Sequence, residues 1–441
     1  MSELDANVVD EYARHLSKVN ARNQVLAAED IYTEQGALLI KKGTPLSEEL
    51  AERVIRHKLT RPLEHSVDLS NQIDSGRLLK AFEQLFERYP DCLAINQAIA
   101  LDLSLREQCR EYARYPLLMQ KLTVMAMRRP HDYQKGIFCA WLSLALARQM
   151  KLDLESQNEA FLAGLMHDSG MLHIAAEILD KQGQLTTEEW RAIQSHPRIG
   201  ELFLRQVPHL PAGVARATLE HHERRDGTGY PSARFAEELS TVGQVVAVAD
   251  SLCAVRMLRF KSPGSNLANL LPILQLNARS YDQEAYRAAV SIIRSGELQQ
   301  ARMHSDDQMP SIIEQMLAAH QHLERCFESV AQLMEVLPEQ PAAGRLRTAS
   351  LQVQNSWFAV ASSGLLSLSL KQLIERAAEE HELYAMADEL HLMLGEVNWQ
   401  FNQLRKVLTA LHDDHALQGA SAEVLQQGLE QMADLDQVVI H

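Results

Sequence analysis

The stretch EAFLAGLMHDSG, residues 159–170, decides how this chain is read. Its apolar residues keep a helical spacing, and Gly170 stands where a helix terminates. His167 and Asp168 are therefore expected at a helix end, outside a packed stripe. Further along, His196 precedes Pro197, after a segment that starts at Thr186, with Thr186 and Glu189 in capping-box spacing. His221 and His222 close the run VARATLEHHE and lead into the turn-rich loop Asp226-Gly227-Thr228-Gly229-Tyr230-Pro231. Asp250 lies within VGQVVAVADSL, a nearly continuous apolar helix.

A carboxylate in such an apolar setting needs a cation, a metal or several donors. Imidazole and carboxylate together suit divalent ions such as iron, manganese, nickel or zinc. A carboxylate beside a histidine can bridge two ions with its two oxygens. Two bridged ions lower the pKa of a shared water and clamp a phosphoryl group for in-line attack. Each residue taken singly has an ordinary reading as well: a surface or core histidine, or Asp250 as a helix cap or partner of Arg256. Their joint occurrence at helix ends is what points to a site.

Around this region the pattern is mostly helical. Segments 76–89, 93–115 and 117–128 carry apolar residues three and four apart, punctuated by Pro90, Pro116 and Pro130. Strand signals are clear only in residues 25–46, where two apolar runs flank Glu34-Gln35-Gly36 as in a small hairpin. A helix is expected to follow from Pro45, with Glu48 and Glu49 in its first turn. Residues 311–337 and 349–413, separated by Pro338, Pro341 and Gly344, read as a helical hairpin or bundle. Their Leu and Met stripes suit a core, or a seam through which two copies of the chain pair. The predicted organisation is a regulatory or accessory region over 1–118, a central domain over 119–300 and a C-terminal helical extension over 301–441.

Composition bounds the function. Across 441 residues, 43 Lys and Arg stand against 58 Asp and Glu, a net charge of −15. That balance argues against broad binding to DNA, RNA or anionic membranes, while leaving room for a small phosphorylated ligand held by metals or local cations. Cys92, Cys109, Cys139, Cys253 and Cys326 are odd in number and scattered, which fits a reducing compartment and no disulfide framework. The first residues, MSELDANVVDEYARHL, are acidic where an export signal would be basic, so the expected location is the cytoplasm.

Five segments carry a family resemblance: HDSG at 167–170, ILDKQGQLTTEEW at 178–190, SHPRIG at 195–200, HHERRDGTGYP at 221–231 and VAVAD at 246–250. In order and interval they resemble the bacterial HD-GYP family of HD phosphohydrolases, over roughly 125–300. The resemblance implies a mainly α fold: a helical HD core, a small N-terminal hairpin-containing region and a C-terminal helical extension. It also implies hydrolysis of cyclic di-GMP to pGpG or GMP at a centre of two or three divalent ions, iron or manganese. By position, His167, Asp168, His196, His221, His222 and Asp250 look like the family's metal ligands, with Asp168 as the bridge. The loop of Asp226, Gly227, Gly229, Tyr230 and Pro231 reads as a rigid turn. The resemblance adds a role for it in recognising signalling partners such as diguanylate cyclases.

Three positions depart from the family pattern. Lys135 falls where the family's first metal-binding histidine should be, and a lysine cation weakens a metal site. His131, one helical turn earlier, is either a substitute ligand, near a position some members use for a third metal, or an ordinary first-turn histidine. Met171 replaces a lysine of the family's HDxGK motif, removing positive charge near the substrate phosphate. The segment after Asp250 is eroded; Arg259 is there either a phosphate contact or part of a solvated basic cluster with Lys261. Two functions follow: a phosphodiesterase in which Lys135 or Arg259 covers the missing charge, or a degenerate relative acting as a ligand sensor or partner-binding scaffold.

Overall fold

Pro90, Pro116 and Pro130 each open a helix: Pro90–Ala98, Pro116–Arg128 and Pro130–Gln149. Proline suits a first helical position because it has no N–H to leave unpaired and its φ is already helical. The segment read as one helix over 93–115 is interrupted at Ala100, whose φ of 50° is left-handed, and resumes as Asp102–Tyr112. The computed structural model describes residues 4–260, 264–338, 344–415, 417–433 and 435; the side chains of residues 4–10 and of Arg259 lie outside the described residues. The fold is mainly α, as predicted, and among the described residues its strands lie within 25–69. Contacts divide it into two units, residues 1–222 with 239–253, and residues 223–238 with 254–441.

In the first unit, Ile31–Tyr32 and Leu38–Ile40 form the expected small hairpin around Gly36, while Val25–Ala27 pairs antiparallel with Val67–Leu69. A strand as short as Val67–Leu69 has too few residues to show an alternation in sequence. The helix expected after Pro45 begins at Glu48, with Glu48 and Glu49 in its first turn; Leu46 N still bonds to Val25 O, and the Ser47 side chain caps Leu50 N. The helix Pro130–Gln149 is buried from Gly136 to Ala147 and packs against Leu154–Met166. A Cβ at Gly164 would lie 2.7 Å from Cys139 O, so only glycine lets these two backbones approach so closely. Gly170 has an ordinary negative φ and is followed by a 3-10 turn, Ser169–His173. Its lack of a side chain instead admits the carbonyl of His196, bringing the 167–170 segment onto the turn that carries that histidine.

The second unit holds the long C-terminal helices Met309–Val336, Gly344–Ser363, Leu368–Ala377, Tyr384–Asp413 and Ala420–Gln431. The segment read as continuous over 349–413 breaks at Gly364, φ 66°, and again before Tyr384. Leu323, Val330, Leu333, Leu394, Phe401 and Leu404 are fully buried, so the leucine stripes make the core of a bundle. Of the residues between the first two helices, Pro341 lies outside the described residues.

Candidate metal centre

Three histidines are oriented by one local device. His167 follows the helix Leu154–Met166, and its Nδ1 lies 2.8 Å from Gly164 O. His196 follows Thr187–Gln194, which carries the predicted Thr186–Glu189 capping box, and its Nδ1 lies 2.7 Å from Ile193 O. His221 follows Ala212–Glu220, with Nδ1 2.6 Å from Thr218 O. The last carbonyls of a helix have no partner within it, and a ring three residues on can donate to one. A carbonyl only accepts, so each Nδ1 carries a hydrogen and each Nε2 is the nitrogen turned toward the cluster.

The Nε2 atoms converge on two carboxylates. Asp168 Oδ2 lies 3.1 Å from His167 Nε2, while Asp168 Oδ1 lies 3.3 Å from His196 Nε2. Asp250 Oδ1 lies 3.4 Å from His167 Nε2, and Asp250 Oδ2 lies 3.6 Å from His222 Nδ1. Asp250 reaches the cluster from the helix Thr241–Ala254. Glu220 anchors the start of that helix by accepting from Ser240 N at 2.8 Å and Ser240 Oγ at 2.5 Å. The wider stretch Thr241–Leu258 is long and apolar enough to cross a membrane by length and composition, and 56% of it is buried in the protein. His167, Asp168, His196, His221 and Asp250 are all buried.

This donor set fits divalent ions. His196 Nε2 faces His221 Nε2 at 3.3 Å, two ring nitrogens turned toward one another. His167 Nε2, Asp168 Oδ1 and Asp250 Oδ1 are buried without a properly formed hydrogen bond. Groups so arranged repel unless a cation or proton lies between them. The donors fall into two sets, each with ligand atoms within 4.8 Å of one another: Asp168, His196, His221 and His222, and Cys139, His167 and Asp250.

The electrostatics agree. Burial, helped by His167 and His196, pushes His221 down to about 3, so it stays neutral and able to ligate. Burial pushes Asp168 and Asp250 up, but Lys135 and the neighbouring histidines outweigh it and hold both carboxyls well below the usual range. Burial lowers His167 while Asp168 raises it, with the net shift upward, so a proton and a metal ion compete for its Nε2.

The six His and Asp residues read from sequence are thus brought together. Lys135 joins them, its Nζ 2.7 Å from Asp168 Oδ2 and 3.3 Å from Asp250 Oδ1. His131 belongs to neither donor set: its first-turn position leaves the side chain 54% exposed, 3.6 Å from Asp132. Arg259 ends the turn Val255–Arg259, and its side chain, like all of Lys261, lies outside the described residues. In the second unit, Asp226 Oδ1 accepts from Thr228 N and Oγ1, and Glu223 accepts from Ser232 N and Arg234 N. With Gly227 at φ 76° and Tyr230–Pro231 cis, the loop is a tightly bonded turn. Cys139 and Glu220 were not singled out from sequence; Cys139 lies four residues beyond Lys135, one helical turn on the same face.

Residues 82–285 match a family model described as an HD domain. Over 200 residues the chain is 32% identical to a protein named cyclic di-GMP phosphodiesterase from Pseudomonas aeruginosa, covering 45% of this chain and 48% of the relative. A cyclic di-GMP phosphodiesterase of Thermotoga maritima is 35% identical over 155 residues, 34% of this chain and 42% of the relative. The 3′3′-cGAMP-specific phosphodiesterase 3 of Vibrio cholerae is 32% identical over 144 residues, 32% and 31% of the two chains. Each match spans less than half of the relative's own length. Helical core and His-Asp cluster together define an HD-domain protein. Within that class, the segment HHERRDGTGYP at 221–231 and the names of the relatives support a likeness to the HD-GYP family over this part of the chain.

Proposed function

We propose that this protein is a metal-dependent phosphodiesterase that hydrolyses cyclic di-GMP to pGpG and GMP. The observation that carries the reading is the convergence of His167, Asp168, His196, His221, His222 and Asp250, with three imidazoles locked so that Nε2 faces the cluster. In this reading those residues hold two divalent ions, iron or manganese, which when bound supply an acidified water and a positive clamp on the phosphoryl oxygens. Asp168 turns one oxygen to His196 and the other to His167, a histidine of each donor set, and the i−3 carbonyls hold the rings with Nε2 toward the cluster. Lys135 supplies the positive charge that Met171 lacks. The names of the relatives widen the substrate class to cyclic dinucleotides, with cyclic di-GMP first.

We read the protein as cytoplasmic, with the 119–300 domain as the catalytic part, 1–118 as its accessory region and 301–441 as a partner-facing or dimer-forming bundle. Diguanylate cyclases are the partner class that the Asp226–Pro231 loop would meet. The ion pairs from Lys135 to both carboxylates favour one second reading, a degenerate centre that binds cyclic di-GMP or a partner without hydrolysis. Purified full-length chain, loaded with manganese or ferrous iron and supplied with cyclic di-GMP, separates the two: turnover abolished by Asp168→Ala supports the enzyme, and tight binding without turnover supports the scaffold.

A further inference from the structure

Cys139 is fully buried in the helix Pro130–Gln149, one turn beyond Lys135. The close approach of its backbone to Gly164 sets it beside the helix that delivers His167 three residues later. Its sulfur and ligand atoms of His167 and Asp250 all lie within 4.8 Å of one another. Both partners are more than nine-tenths buried, and His167 Nε2 and Asp250 Oδ1 lack a formed hydrogen bond. Lys135, where the family would have a nitrogen ligand, is a cation paired with Asp168 and Asp250. The half of the centre around His167 and Asp250 therefore has a sulfur donor in place of an imidazole.

Resting on the metal-centre reading above, we propose that Cys139 is a thiolate ligand to a divalent ion held with His167 and Asp250, making this position selective for thiophilic ions such as zinc or cobalt over manganese. Sulfur, imidazole and carboxylate together favour zinc-class ions more strongly than the other set, whose three imidazoles and carboxylate lack the added preference of a soft thiolate. Binding breaks the Cys139 S–H bond, forms the sulfur–metal bond and releases the proton to water. Burial, helped by Cys253, pushes the free Cys139 thiol well above its usual pKa, so the ion must displace that proton, and Cys253 is a second buried sulfur that the test must distinguish.

The test is a cobalt titration of the metal-stripped full-length chain under anaerobic, reducing conditions, read by absorption. The expected result is an intense near-ultraviolet sulfur-to-cobalt band in the wild type, lost in Cys139→Ser and kept in Cys253→Ser. Visible cobalt bands without the sulfur band in the wild type would overturn the proposal while leaving the metal centre standing, and need no variant. A sulfur band that persists in Cys139→Ser would overturn it too. Absence of any bound cobalt would instead remove the metal-centre reading on which it rests. Competition should show zinc held about tenfold or more tightly by wild type than by Cys139→Ser; equal affinity counts against the proposal.

Discussion

Lys135 Nζ lies 2.7 Å from Asp168 Oδ2, so a protein cation sits against the carboxylate whose two oxygens face His167 and His196. Burial lowers the Lys135 pKa, but Asp168 and Asp250 outweigh it and raise it well above the ordinary value, keeping the ammonium charged. The ammonium therefore pairs with one carboxylate of each donor set, Asp168 and Asp250.

Lys135→His removes that cation and adds a nitrogen donor. The variant is expected to bind more metal per chain than wild type when both are purified without added metal, measured by elemental mass spectrometry. Turnover on the same samples then assigns the lysine's role: activity that rises with metal content marks a weakened site, and activity that falls marks a lysine used on the substrate phosphate.

Gly164→Ala should destabilise the fold. The new Cβ would meet Cys139 O at 2.7 Å and the Cys139 carbonyl carbon at 2.9 Å, backbone atoms that cannot rotate away. Forcing two buried helices apart costs roughly 1–3 kcal/mol. Urea denaturation should show a lower midpoint, and because Cys139 and His167 lie at this contact, metal affinity should fall with it.

Lys121 provides a pH test remote from the metal ligands. It is fully buried, its Nζ 3.0 Å from His173 Nε2, 3.4 Å from the centre of the Tyr12 ring and 3.8 Å from Glu64. Burial pushes it down to about 8, against an opposing pull from Glu64. Between pH 8 and the unfolded value near 10.5 the unfolded chain therefore binds more protons than the folded one, and stability contributed by this group rises with pH across that window. Below pH 8 the charging cost is fully present, on the order of 3 kcal/mol relative to high pH. Lys121→Met should flatten the rise, measured as urea midpoints of variant and wild type at pH 7 to 10. Parallel pH curves for the two would contradict it.

The helix-end histidines were legible in sequence because capping residues, prolines and the ends of apolar runs mark where helices stop. The ring orientation at those ends follows from a local rule, the i−3 carbonyl that takes the Nδ1 hydrogen, acting within four residues. Gly170 was legible as a special position but for a different reason: it admits a carbonyl from a segment about 26 residues away, which no local pattern encodes. Cys139 was hidden for the same cause. Its meeting with Asp250 depends on three helices packing together, and a lone cysteine in an apolar run reads as core. The break at Ala100 and the strand Val67–Leu69 were missed because each rests on one or a few residues whose conformation is set by neighbours distant in the chain.

The central claim is metal-dependent hydrolysis of a cyclic dinucleotide at the His-Asp cluster. Its most direct test is a turnover assay with cyclic di-GMP on the full-length chain, run alongside metal analysis of the same sample, for wild type and Asp168→Ala. The account predicts pGpG or GMP from the metal-loaded wild type, with a rate loss on the order of 10³-fold or more in the variant. No turnover by wild type with manganese, ferrous iron, cobalt or zinc bound would contradict it.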